Sequence, residues 1–208
     1  NIFVDEEKKR LSFLNALKKY TSIGVPGLYS MLADAHIEYG KLKWEVLFKD
    51  ALDYSNSFII SPRLNKLLKW APHIKENIIA RELYYNNGEA KKSGDLIKNK
   101  SLNKSLTILS KDPFSLNNGI LASAIAKKTN FILTEKDLAS WQTLRRTPIC
   151  KKYREYNICG FPPPTSGGIG VIQILGILEH LIGVNNQYSY LEKIHYFLEA
   201  SRLAYLDR

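Results

Sequence analysis

The chain has 208 residues, 45% hydrophobic and 11% aromatic, which is enough to bury a sizeable core in one domain or a domain and a half and excludes intrinsic disorder. Thirty basic against twenty acidic residues give +10. The lysines are scattered in pairs, Lys8-Lys9, Lys18-Lys19, Lys91-Lys92, Lys127-Lys128 and Lys151-Lys152, with no aromatic-interleaved basic stripe, so the charge belongs to solvated faces and no nucleic-acid partner is implied.

The amino end, Asn1 to Arg10, has no initiator methionine and no charged head followed by an apolar stretch, so no signal peptide is visible. Ser22 to Gly27 forms a tight turn. Leu28, Met31, Leu32 and Ala35 then recur at helical spacing, predicting a helix from about Pro26 to Tyr39 that stops at Gly40. Trp44, Leu47, Phe48, Ala51 and Leu52 predict a second helix. Ser61-Pro62 places a capping hydroxyl before a proline at the first helical position, and Leu64, Leu67, Leu68 and Ala71 form the expected buried stripe before Pro72. Between Ile74 and Asn87 the apolar spacing is mixed, and Asn86-Asn87-Gly88 reads as a turn. Leu96-Ile97 touches the core in this reading. Leu102, Leu106 and Leu109 mark one further helix and Leu121, Ala124 and Ile125 another, divided by Asp112-Pro113. Thr134 to Asp137 has the form of a capping box opening a short helix with Leu138 and Trp141.

After these helices the texture changes. Thr147 to Tyr153 and Tyr156 to Gly160 read as two strands joined by Arg154-Glu155. Cys150 and Cys159 stand on either side of this hairpin; they pair if registered across it, and free thiols are equally open. Three prolines then stiffen Phe161 to Gly168, Thr165 and Ser166 offer hydroxyls where a helix begins, and Gly167 and Gly168 let a backbone or a ligand come close. The stretch is either a rigid connector or a place where the first helical amides meet a ligand. Ile169 to Ile182 is apolar on nearly every face and belongs inside a protein, yet it is shorter than the roughly 20 residues of a bilayer span, so no transmembrane segment is predicted. A last helix opens at Tyr188-Ser189, with a stripe of Tyr190, Leu191, Ile194, Phe197, Leu198 and Tyr205, and runs to the end without a stop signal. The fold class is therefore α+β, mostly helical with a small sheet element, and both ends of the chain look cut.

Residue chemistry names no activity. His36, His73, His180 and His195 lie on separate elements without metal-ligand spacing, and Asp50 and Asp53 share a solvated helix face. There is no nucleophile elbow, P-loop or dinucleotide fingerprint.

Taken in order, however, Gly24-Val25-Pro26-Gly27, Tyr39-Gly40, Ser61 to Leu64, Leu133 to Leu138, Arg146 to Ile149, Tyr153-Arg154, Phe161 to Gly168 and Ala204 to Arg208 resemble the γ-glutamyltranspeptidases. Pro162-Pro163-Pro164 followed by Thr165 to Gly168 is the most specific piece. The resemblance implies an N-terminal nucleophile hydrolase, whose proprotein cuts itself into two subunits that together form an αββα sandwich. A threonine at the new amino terminus of the small subunit attacks the γ-glutamyl amide of glutathione, and the acyl group passes to water or an amino acid. Neither metal nor organic cofactor is implied, and family members with a signal peptide are periplasmic or extracellular.

Residues 1–208 correspond in this reading to the later part of the large subunit, truncated at both ends, with the small subunit as partner and glutathione or other γ-glutamyl compounds as ligands. No catalytic residue and no metal ligand is carried over to this chain, which alone is predicted inactive. Thr165, Ser166, Gly167 and Gly168 are expected in the vicinity of substrate. Alternatives are a non-enzymatic remnant of a decayed or split gene and part of a related acylase. Two departures from the family pattern stand out: Glu155 where a glycine usually follows Tyr-Arg, and Asn130-Phe131 where a glycine pair usually precedes Leu-Thr. A side chain there costs about 1 kcal/mol or more if φ must be positive.

Overall fold

A computed structural model of the chain describes residues 3–183 and 187–207, which fall into two compact units, Asn1–Thr143 and Leu144–Arg208. Asn1, and Arg208 at the end of the Ala204 to Arg208 motif, lie outside the described residues.

In the first unit, α1 (Phe13–Leu17) is followed by α2 (Leu28–Tyr39), which ends where expected at Gly40. That glycine is required by space: a Cβ there would lie 2.4 Å from the His36 ring. The second predicted helix is split into a 3-10 segment, Trp44–Phe48, and α3 (Lys49–Asn56). Strand β1 (Phe58–Ile59) leads to α4 (Pro62–Trp70), capped as predicted by Ser61, whose Oγ accepts from Leu64 N–H at 3.1 Å. A 3-10 segment and α5 (Ile78–Tyr84) fill the ambiguous region before the hairpin β2 (Tyr85–Asn86) and β3 (Glu89–Ala90). Its turn residues Asn87 and Gly88 both have positive φ, 47° and 82°, matching the right-handed twist of the strands. Strand β4 (Leu96–Ile97) pairs antiparallel with β1.

Two cores follow from these elements. Ile60, Leu68, Tyr85 and Ile97 form one, closed by the Tyr85 hydroxyl donating to the Leu68 carbonyl at 2.9 Å; burial pushes that hydroxyl's pKa up. Phe48, Leu106 and Leu109 form the other, where α6 (Lys100–Lys111) meets the Trp44 segment and the Trp44 indole donates to the Leu109 carbonyl. Leu67 is an exception to the buried stripe expected on α4, and Leu28, Met31, Leu32, Leu47 and Leu102, which marked helices by their spacing, are exposed as well; the faces of α4 and α6 that meet the cores are centred on Leu68 and on Leu106–Leu109.

α7 (Ile120–Lys128) buries Ala122 and Ala126 and half-buries Leu121 and Ile125, whereas Ala124, which marked the helix with them by its spacing, is exposed. α8 (Glu135–Ala139) carries the expected capping box, with Thr134 and Asp137 bonded reciprocally. Asn117 joins three segments: it accepts from the Ser30 hydroxyl at 2.7 Å and donates to the Pro26 and Leu138 carbonyls.

The second unit is a hairpin and two helices. β5 (Ile149–Tyr153) pairs with β6 (Tyr156–Gly160), α9 (Gly167–Ile182) packs on both strands, and α10 (Tyr190–Leu206) packs on α9. Ser189 caps α10 through a second capping box with Glu192. The inward face of α10 carries Ala200 and Ala204, whose small side chains let two helices approach closely. The predicted stripe of Tyr190, Leu191, Ile194, Phe197, Leu198 and Tyr205 is exposed instead. α9 has no fully buried residue; Val171 and Leu181 remain exposed among the described residues. Within this unit α9 is thus only partly enclosed, a helix whose composition calls for more cover than the hairpin and α10 supply.

Candidate functional site

The hairpin sets up the stretch that follows it. Cys150 and Cys159 are directly opposite in register and form a disulfide, the pairing the sequence left open. The tight turn places Arg154 at positive φ, 53°, whereas Glu155, the position that departs from the family pattern, is not among the positive-φ residues. Arg154 is held there by its own N–H donating to Glu179 Oε1 at 3.0 Å and its guanidinium donating to the Gly183 carbonyl at 3.1 Å. The turn is thereby fixed to the C-terminal half of α9.

At the other end of the hairpin the backbone of β6 meets the first turn of α9. A Cβ on Gly160 would lie 2.4 Å from Gly168 Cα, and one on Gly168 would lie 2.5 Å from the Phe161 carbonyl oxygen. Neither obstacle is a side chain that could swing away. Gly168 therefore serves close approach of backbone to backbone, one of the two roles the sequence allowed. Gly167 differs: a Cβ there meets nothing within 4 Å, and the residue is exposed.

Between the two glycine contacts the chain runs through Pro162 to Ser166. Ser166 is the N-cap of α9, and its carbonyl accepts from Gly170 N–H at 2.8 Å. Its hydroxyl makes no cap bond, so of the two roles open to it, capping or binding, capping is not made here. The reason is local: with φ −95° and ψ −9° the residue already has helical backbone geometry, whereas a capping side chain requires an extended residue. Thr165 is exposed.

Ser166, Gly167, Gly170, Gln173, Tyr205 and Asp207 line a cavity of about 320 Å³ between the start of α9 and the end of α10. Gln173 Nε2 donates to Asp207 Oδ2 at 2.6 Å across it. The cavity thus offers a hydroxyl, a carboxylate with its amide partner, and an opening next to Gly167 and Gly170, at neither of which a Cβ would meet a neighbour within 4 Å. This arrangement can bind a small polar molecule; it has no side-chain base within a hydrogen-bonded pair that would activate Ser166 as a nucleophile. The structure brings Ser166 and Gly167 to this cavity and leaves Thr165 and Gly168 outside its lining. Sequence reasoning missed Gln173 and Asp207. The only signal was the ordered Ala204 to Asp207 motif, whose partner stands 34 residues earlier.

The model of the γ-glutamyltranspeptidase family matches residues 1–208. The chain is 28% identical over its full length to the glutathione hydrolase proenzyme of Escherichia coli, of which it covers 37%. It superposes on γ-glutamyltranspeptidase from Helicobacter pylori with a TM-score of 0.84 at 30% identity, covering all of this chain and 61% of that one. With the transpeptidase CapD of Bacillus anthracis the TM-score is 0.77 at 26% identity, over 91% of this chain and 67% of that one. These solved γ-glutamyltranspeptidases are N-terminal nucleophile hydrolases, in agreement with a mostly helical α+β chain with small sheets. The chain spans a little over a third of the length of the curated relatives it matches.

Proposed function

The chain belongs to the γ-glutamyltranspeptidase family, and from that membership we propose that it is the later part of the large subunit of an enzyme that transfers or hydrolyses γ-glutamyl groups. The observation that carries this reading is the match along the whole chain, which includes the Pro-Pro-Pro-Thr-Ser-Gly-Gly stretch and its seat against β6. Several relatives are named proenzymes of glutathione hydrolase, which supports a second subunit from the same precursor as partner and glutathione as substrate.

In the complete enzyme a threonine at the amino terminus of the small subunit attacks the γ-glutamyl carbonyl carbon, with its own α-amine taking the hydroxyl proton. The C–N bond breaks, the amine leaves with a proton, and water or an amino acid then takes the acyl group. Residues 1–208 supply no nucleophile in this scheme. Their contribution is the floor of the site: hairpin, Gly160–Gly168 contact and α9 hold Thr165 to Gly168 as one rigid corner beside the substrate.

The test is hydrolysis of γ-glutamyl-p-nitroanilide by the full-length gene product and by residues 1–208 alone. We expect nitroaniline release from the former only. No release from the full-length product would overturn the enzymatic reading in favour of a non-enzymatic remnant, and release by residues 1–208 would overturn the assignment of the nucleophile. Ser166→Ala in the full-length protein is expected to raise KM up to about tenfold, the worth of one hydrogen bond. An unchanged KM removes Ser166 from the substrate's surroundings.

A further inference from the structure

The usual determinants of strand register are weak in the β5–β6 hairpin. Tyr153 pairs with Tyr156, so its loop is the two residues Arg154-Glu155. Two-residue loops that fix a register carry Asn or Gly at their positions of positive φ; here the positive φ falls on an arginine, and a glutamate follows it. Side-chain alternation adds little. β5 reads Ile-Cys-Lys-Lys-Tyr, with Lys151 on the side of α9 and Lys152 on the other, so a slip of one residue exchanges lysine for lysine.

The seat of α9 nevertheless depends on the register. Lys151 reaches along α9 to Gly176, on which a Cβ would stand 3.6 Å from the Lys151 Nζ, and Gly160, paired with Ile149, is the residue that admits Gly168. The bonds from Arg154 to Glu179 and Gly183 hold the turn only once α9 has docked. Cys150 and Cys159, nine residues apart in sequence, are directly opposite one another. In this register both stand on the side away from α9; after a slip of one residue they would stand on opposite sides and could not be bridged.

We propose that the Cys150–Cys159 bond is a register lock: an oxidant of the disulfide class closes it while the hairpin is still free, and it fixes the pairing on which the seat of α9 is then built. In an αββα sandwich the side of a sheet opposite its helices meets the other sheet, so the bond is enclosed in the complete protein. That enclosure rests on the architecture of the family. The lock itself rests on the register alone.

The step balances. One cysteine thiolate attacks the small disulfide, forming a mixed disulfide and releasing one small thiolate. The second cysteine thiolate attacks the protein sulfur of that mixed disulfide, closes Cys150–Cys159 and releases the other. Two protein thiols are oxidised, one small disulfide is reduced to two thiols, and these take the two protons.

Hydrogen exchange over Ile149 to Gly160, read by mass spectrometry on the full-length protein, compares the parent, Cys150→Ala/Cys159→Ala, Glu155→Gly and the three substitutions together. Loss of the bridge is expected to lower protection of the hairpin amides about tenfold to a hundredfold, the range expected for constraining a loop of about ten residues. Glu155→Gly lets the turn take two positive-φ residues; it is expected to recover about threefold or more without the bridge and to change the bridged protein less than about twofold. Equal effects of Glu155→Gly in the two backgrounds, or protection that does not depend on the bridge, overturn the lock. If the double alanine variant does not fold, the parent refolded from denaturant with and without dithiothreitol gives the same comparison, and equal protection in the two overturns it likewise. The native parent is expected to keep its bridge in reduced glutathione and to lose it only on denaturation; reduction of the native protein overturns the order of closing. No γ-glutamyl turnover is measured, so failure here is distinguishable from failure of the proposed enzymatic activity.

Discussion

Phe131 offers a test of whether a local backbone geometry, and not a contact, sets stability. It follows α7 in a Schellman-type ending: Phe131 N–H donates to the Ala126 carbonyl at 2.8 Å and Asn130 N–H to the Lys127 carbonyl at 3.2 Å. This ending requires positive φ at Asn130, 52°, and Phe131 after it is at positive φ too, 59°. Asn130 tolerates it. Phe131, which is 64% exposed, has little burial to offset it. A left-handed conformation costs an ordinary residue about 1–2 kcal/mol, while the extra freedom of glycine in the unfolded chain costs about 0.5–1 kcal/mol. Phe131→Gly should therefore be about 0.5–1 kcal/mol more stable than Phe131→Ala, both having lost the same ring contacts. At Ala124, exposed in the middle of α7, Ala→Gly should instead cost about 1 kcal/mol. Urea midpoints and thermal melts of the three variants read the result, the 131 pair differing by about 1–4 °C in Tm. A Phe131→Gly protein that melts below Phe131→Ala refutes the reasoning.

Two further outcomes follow from the second unit and the caps. Gly168→Ala should cost about 1–3 kcal/mol, because its Cβ would meet the Phe161 carbonyl oxygen at 2.5 Å; Gly167→Ala, with open space around it, should melt with the parent, and equal losses at both positions would contradict the close approach. Hydrogen bonds from the Ser189 hydroxyl and then its backbone hold the Glu192 carboxyl below the usual range, and Thr134 does the same for Asp137. A folded pKa below the unfolded one gives stability that is present above the unfolded value, about 4.3 for Glu and about 3.9 for Asp, and lost as pH falls through the lowered folded value. Glu192→Gln and Asp137→Asn should therefore flatten the acid side of the stability profile, and an acid limb identical to the parent's would show that these caps contribute nothing to it.

What the sequence disclosed and what it hid divide along the range of the interactions involved. Ser61, Thr134 and Ser189 were legible as caps because capping is decided within four residues, and Asn87-Gly88 was legible because only a few residue types accept its dihedrals. Of the two departures from the family's glycine pattern, the cost attached to a positive φ applies at Asn130-Phe131, where both residues have one, and not at Glu155, where the positive φ falls one residue earlier, on Arg154. The inward face of α10 was not legible. Its large apolar residues were expected to be inside, but close packing on α9 selects Ala200 and Ala204. Ser166, for which both capping and binding were open, does not cap because its backbone is already helical, which its hydroxyl and its place before the glycines do not disclose. Gln173–Asp207, which gives the cavity its polar wall, joins residues on two helices, and nothing in local spacing announces it.

The contact of Gly160 with Gly168 makes the intervening segment a closed loop whose two ends touch. The end of β6 and the start of α9 are therefore pinned to one another by backbone, and the seven residues between them have to close a gap whose width the two glycines set rather than span an open distance.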